Sequence, residues 1–161
     1  MSVVGALAGG VIGTAVLTTI LRLGSELGFT RVDLPFLLGT AVTEDRARAK
    51  AIGYLAHFGF GLLFSFAYAL VFLAIERSGW LVGAALGLVH GLFAATALVN
   101  VLLPTVHPRM GKTWSDAGSS PFVEPPGFLM RNYGPGTPVV STIAHVAFGA
   151  IVGGFAAWGG G

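Results

Sequence analysis

The chain has 161 residues, 54% of them apolar and 10% charged, with nine basic and seven acidic side chains and a formal net charge of +2. So few charges cannot form the polar shell that a soluble domain of this length needs, and lipid is therefore part of its solvent. The absence of cysteine excludes disulfide scaffolds, cysteine–zinc sites, iron–sulfur clusters and thiol catalysis, and with no dense basic run a nucleic-acid partner is excluded too.

The first apolar run covers about residues 3–23. It lacks a basic leading segment and is too long for the core of a signal peptide, so it is expected to stay in the mature protein as a membrane span. A loop of residues 24–50 follows, with Leu34 to Leu38 apolar enough to dip toward the membrane. Thr43 is the expected N-cap of the next helix, ahead of Glu44 and Asp45 at the positive end of its dipole. Arg46, Arg48 and Lys50 are then placed at headgroup level.

The second span covers about residues 51–75 and the third about 80–103, joined by a short turn. The second loop, 104–138, carries seven of the eight prolines and the aromatics Trp114, Phe122, Phe128 and Tyr133. It is too long for a plain connector and is expected to form an ordered cap, with Phe128 to Met130 dipping into lipid. The fourth span covers about residues 139–158.

Each run is long enough to cross roughly 30 Å of hydrocarbon, and none alternates polar with apolar residues, so the expected fold is an all-α membrane protein with four transmembrane helices. Eight of the nine basic residues fall in or beside the two long loops, and Arg77 alone lies on the other side. That split predicts cytoplasmic loops and external termini.

The two halves of the chain resemble each other. VGALAGGVIG (Val4 to Gly13) aligns with VGAALGLVHG (Val82 to Gly91) at six of ten positions, and both carry glycine at every fourth residue, the close-packing pattern of membrane helices. AHFGFG (Ala56 to Gly61) aligns with AHVAFG (Ala144 to Gly149), histidine included. Two repeated helical hairpins, related by a pseudo-two-fold axis along the membrane normal, are the expected arrangement.

Three ionisable residues lie inside the spans, His57, His90 and His145. Ionisable groups at that depth are costly, which makes all three candidate cofactor-binding residues. Small or polar residues accompany each at helical spacing: Tyr54, Gly61 and Ser65 beside His57, Ser141, Gly149 and Gly153 beside His145, Gly87, Gly91 and Ala94 beside His90. These faces are expected to point into the bundle. Three roles stay open for the imidazoles: ligation of a metal centre, most naturally a haem or another tetrapyrrole held by His57 and His145; packing hydrogen bonds between helices; and a path for protons or a small solute. Thr14, Thr18, Thr96 and Asn100 fit interhelical hydrogen bonds. His107 follows Pro104 at the membrane border, where an exposed or interfacial ring is expected, with Arg109 and Lys112 meeting lipid phosphate.

The sequence contains no Gly-x-Ser-x-Gly, His-Glu-x-x-His, P-loop or dinucleotide fingerprint, which makes an ordinary enzyme the weaker expectation. The span pattern, the AHxxFG helices, Val-His-Pro-Arg-Met (106–110) and the Pro-Gly-Phe and Asn-Tyr-Gly segments between 126 and 134 resemble small bacterial four-helix integral membrane proteins of no assigned activity. The resemblance implies a bacterial inner membrane and supplies no functional residues. The expected function is that of a membrane subunit or binding bundle, partnered by lipid and by other membrane subunits or its own copies. The alternatives are a small-solute transporter or channel, and a purely structural bundle.

Overall fold

A computed structural model describes residues 1–110 and 123–158; Lys112, Trp114 and Phe122 lie outside them. Among the described residues the chain is all-helical, with one isolated bridge between Met110 and Val123. Helix α1 is Val3–Glu26, α2 Leu34–Gly39, α3 Arg46–Ala74 and α4 Trp80–Phe93. A π-helical segment, Ala94–Leu102, leads into the short α5, Leu103–Val106. A 3-10 element, Phe128–Tyr133, precedes α6, Thr137–Trp158. Four stretches are long and apolar enough to cross a membrane: α1, α3, Trp80–Val106 as one span, and α6.

Local chemistry sets the helix ends. The Ser2 hydroxyl accepts from the Gly5 amide at 2.9 Å to cap α1, and Gly28, at φ +79°, turns the chain away after it. Helix α3 is capped by Asp45, which accepts from the Arg48 amide at 2.8 Å. This corrects the expectation of Thr43, whose hydroxyl instead accepts from the Asp45 amide at 3.3 Å in a turn just outside the helix.

The third span also departs from expectation. It runs on to Val106 and widens into π geometry over its lower half. Pro104 explains the change of winding: its ring crowds the carbonyl four residues back and it has no amide to donate, and wider turns ahead of it relieve that crowding.

Helix α6 is the centre of the bundle, packed along both α1 and α4, while α3 packs on the far side of α1. Glycines make these approaches close. A Cβ at Gly9 would lie 2.9 Å from the Phe155 Cβ, and one at Gly13 would lie 3.0 Å from the Phe148 ring. Gly83 and Gly149 face each other's backbone across α4 and α6, and Gly10 and Gly61 receive Ser65 and Thr14 between α1 and α3. Without a hydrophobic drive between helices in lipid, such close packing is what holds a bundle together. The starts of α1 and α4 both meet the far end of α6, through Ser2 N–H to the Ala156 carbonyl at 2.9 Å and Gly79 N–H to the Gly153 carbonyl at 3.1 Å.

The fourth side is different. The α3 and third-span backbones stay apart and meet through side chains, with Phe64 against His90 at a centroid distance of 3.9 Å. Along this seam lies a partly open cavity.

The loops close one end of the bundle. Helix α2 lies against α3 with Gly39 on the Ala49 backbone and Gly53 on the Pro35 carbonyl, so the segment expected to dip into lipid docks on protein with Pro35 and Leu37 buried. The second loop binds the first: the Arg31 amide donates to the Tyr133 carbonyl at 2.6 Å, and the Thr30 and Thr137 hydroxyls are 2.7 Å apart. Of the segment expected to dip with Phe128, Met130 is instead buried against the cavity, while Phe128 is exposed.

Candidate functional site

Positions 57, 61, 64 and 68 of α3 recur at the spacing that keeps residues on one helical face. His57, Gly61 and Phe64 of that face meet His90 from α4 and His145 from α6 around one cavity of about 330 Å³, and Tyr68 contacts His90. The remainder of the wall is almost wholly apolar: Leu17 and Leu21 from α1, Leu98 and Leu102 from the π segment, Phe148 from α6, and Val32 and Met130 from the loops. All three histidines expected in the spans therefore border the same space. His57 and His145 are each 7% exposed, and His90 is intermediate.

Hydrogen-bond partners fix the tautomers in the neutral rings. The Thr18 hydroxyl gives its hydrogen to the Thr14 carbonyl at 2.6 Å, so it can only accept from His57 Nε2–H, 3.0 Å away. His145 lies one turn after Ser141, and its Nδ1–H donates to the Ser141 carbonyl at 2.8 Å. That leaves Nε2 of His145 as a bare lone pair. Tyr68 lies 3.2 Å from Nδ1 of His90; its buried O–H has no other acceptor among the described residues, so it donates there, and His90 carries its own hydrogen on Nε2.

No fully buried side-chain nitrogen or oxygen among the described residues lacks a partner. Nε2 of His145 and Nε2 of His90 are therefore on accessible surface. The two rings meet edge to face, with centroids 4.9 Å apart, and Phe64 backs His90 while Phe148 lies 6.0 Å from it in the same T-shaped relation.

The arrangement limits the metal chemistry the site can do. Among the described residues no three of His, Asp and Glu converge on a point where they could hold one ion. A tetrapyrrole held by His57 and His145 together would require His57 to give up its bond to Thr18 or to ligate through Nδ1. The geometry is better suited to hydrogen-bonding a polar head within an apolar chamber.

His107 is not the interfacial ring expected. It is 3% exposed, and its Nε2–H donates to the Leu37 carbonyl at 3.1 Å and to Thr40 Oγ1 at 3.2 Å, while Nδ1 accepts from the Arg109 amide at 3.1 Å. Burial, with the Arg109 cation beside it, holds the ring below its ordinary pKa of 6.5. Arg109 likewise turns inward from lipid, donating to the Thr40 carbonyl at 3.0 Å and to Glu44 at 3.2 Å. Together they latch the second loop onto α2.

Two further departures concern the walls. Tyr54, expected beside His57, is 40% exposed; three residues back places it about 60° round the axis, enough to turn it outward. Tyr68 and Phe64 were not among the expected site residues. Their signal was present, since 64 and 68 continue the helical face that starts at His57 and Gly61.

No protein-family model, curated protein or solved structure matches the chain.

Proposed function

We propose that the chain is a membrane-embedded binding bundle that holds an apolar molecule with a polar head in the chamber bordered by His57, His90 and His145. The single observation that carries this reading is that three imidazoles from three different helices open on one otherwise apolar cavity. Polar groups inside a bilayer are costly to maintain. A few convergent polar atoms in a greasy pocket are the common pattern of a small-molecule site.

The bundle is read further as two related hairpins in a bacterial inner membrane, with the loops on the cytoplasmic side and copies of itself or other subunits as neighbours. The aligned AHxxFG segments and the placement of eight of nine basic residues support this. The two hairpins have diverged where α6 closes on α1 while α3 stands off the third span, and the cavity lies in that divergence. A carrier of charged solutes is the weaker reading, because the acids and bases of the described spans lie at their ends and none accompanies the histidines at mid-membrane.

The test is gentle purification from native membranes followed by an optical spectrum, metal analysis and mass spectrometry of an organic extract. A stoichiometric amphiphile that is lost on Leu98→Trp, which fills the chamber, is the expected result. A Soret band or stoichiometric metal that disappears in both His57→Ala and His145→Ala would replace this reading with a tetrapyrrole or metal site.

A further inference from the structure

The hydrogen-bonding capacity of the cavity narrows the class of molecule that fits it. Nε2 of His145 offers only a lone pair, because its Nδ1–H is committed to the Ser141 carbonyl. Nε2 of His90 offers only a hydrogen, because its Nδ1 receives the Tyr68 hydroxyl. The two rings are 4.9 Å apart at their centroids, close enough for one oxygen to lie about 2.8 Å from a nitrogen of each. A group that satisfies both must donate one hydrogen and accept another.

This requirement discriminates. A ketone, an ether or a carboxylate only accepts, and would leave the His145 lone pair facing apolar surface; an ammonium only donates, and would leave His90 N–H without an acceptor. Water can do both, but its second hydrogen would point at leucine and phenylalanine. An alcohol replaces that second hydrogen with carbon. The cavity is partly open, with the exposed Phe60 and Leu63 of α3 and Leu102 of the third span in its lining, and this gives an alkyl chain a route from the chamber to the surrounding lipid.

We propose that the cavity binds a lipidic alcohol, its hydroxyl donating to Nε2 of His145 and accepting from Nε2 of His90. This inference rests on the binding-bundle reading. Two membrane sources share the chemistry, aliphatic or isoprenoid alcohols on one hand and the phenolic hydroxyl of a quinol on the other.

The test titrates the full chain, reconstituted in lipid nanodiscs, with hexadecanol, its methyl ether, hexadecane, and a short-chain benzoquinol beside its quinone, reading binding by calorimetry. The expected result is that hexadecanol or the quinol binds about tenfold more tightly than its matched ether or quinone; which of the two shows the preference identifies the source. His145→Asn keeps a donor toward the Ser141 carbonyl and removes Nε2, so it should abolish the preference while binding of the apolar chain persists. Hexadecane or the ether binding as tightly as hexadecanol, with quinol and quinone equal, would overturn the hydroxyl inference and leave the binding-bundle reading standing. Binding of none of the five would overturn both. A preference that survives intact in His145→Asn, in a variant whose thermal unfolding matches the parent, would also refute it.

Discussion

His57 donates to Thr18 across the α1–α3 interface at 3.0 Å, and it does so because the Thr18 hydrogen already belongs to the Thr14 carbonyl one turn back. The bond therefore has a direction. It pins the α3 imidazole with its other nitrogen free and makes α1 a participant in the site, although α1 carries no histidine.

Removing the Thr18 oxygen should therefore cost stability. Thr18→Val is expected to lower thermal stability by about 1 kcal/mol, the scale measured for interhelical hydrogen bonds in membranes, while Thr18→Ser retains the parent value. Thermal unfolding of detergent-solubilised protein measures both. Equal stability for Val and Ser would show that the bond contributes nothing.

The glycine contacts predict a sharper asymmetry. A Cβ at Gly83 would run into the Gly149 carbonyl, whereas Gly59 and Gly154 face open space. Gly83→Ala should force α4 off α6 at a cost of about 1–3 kcal/mol, and Gly59→Ala, in the middle of α3, should be neutral or slightly stabilising because alanine favours helix. Comparing their unfolding midpoints decides the matter; equal destabilisation of the two would contradict the packing described.

Acid should loosen the loops. The folded pKa of His107 lies below 6.5, so the unfolded loop binds a proton more readily than the latched one, and the latch loses stability as pH falls below about 6.5. Above that value its contribution is fully present. Protonation would place a hydrogen on Nδ1, which accepts from the Arg109 amide, and a second cation beside the Arg109 guanidinium. Hydrogen exchange at the Arg109 amide, corrected for its intrinsic pH dependence, should quicken between pH 7 and pH 5 and become flat in His107→Gln. An unchanged rate in the parent would remove the latch from the account.

Orientation is testable directly because the chain contains no cysteine. A cysteine at Ala47, which is exposed at the start of α3, should react with an impermeant maleimide only after the membrane is breached. One at Arg77, exposed in the α3–α4 turn, should react in intact cells. The reverse pattern would invert the topology.

The four apolar spans were legible in the sequence because a bilayer demands length and hydropathy and little else. The inward turn of His57 and His145 was legible as well, through the small residues one helical turn from each. Four features were less legible. Tyr68 and Phe64 resemble any lipid-facing aromatics until the α3 face is projected three turns beyond His57. His107 reads as a border residue because its partners, Leu37 and Thr40, lie in the other loop, some seventy residues away. The π winding of Ala94–Leu102 depends on relief of crowding at Pro104, which hydropathy does not register. Nor does local pattern show that α3 stands off the third span, since that gap is the sum of many packing distances.

That gap makes the site separable from the scaffold. Three sides of the bundle are fixed by close contacts at glycine, backbone on backbone where α6 meets α1 and α4 and side chain on glycine where α1 meets α3, and added atoms are poorly tolerated there. On the fourth side, no glycine of α3 or α4 meets the other helix, and the boundary is set by the girth of replaceable side chains such as Leu63, Leu98 and Leu102. Natural drift or deliberate redesign can therefore enlarge, narrow or reshape the chamber at these positions without disturbing the architecture that supports it.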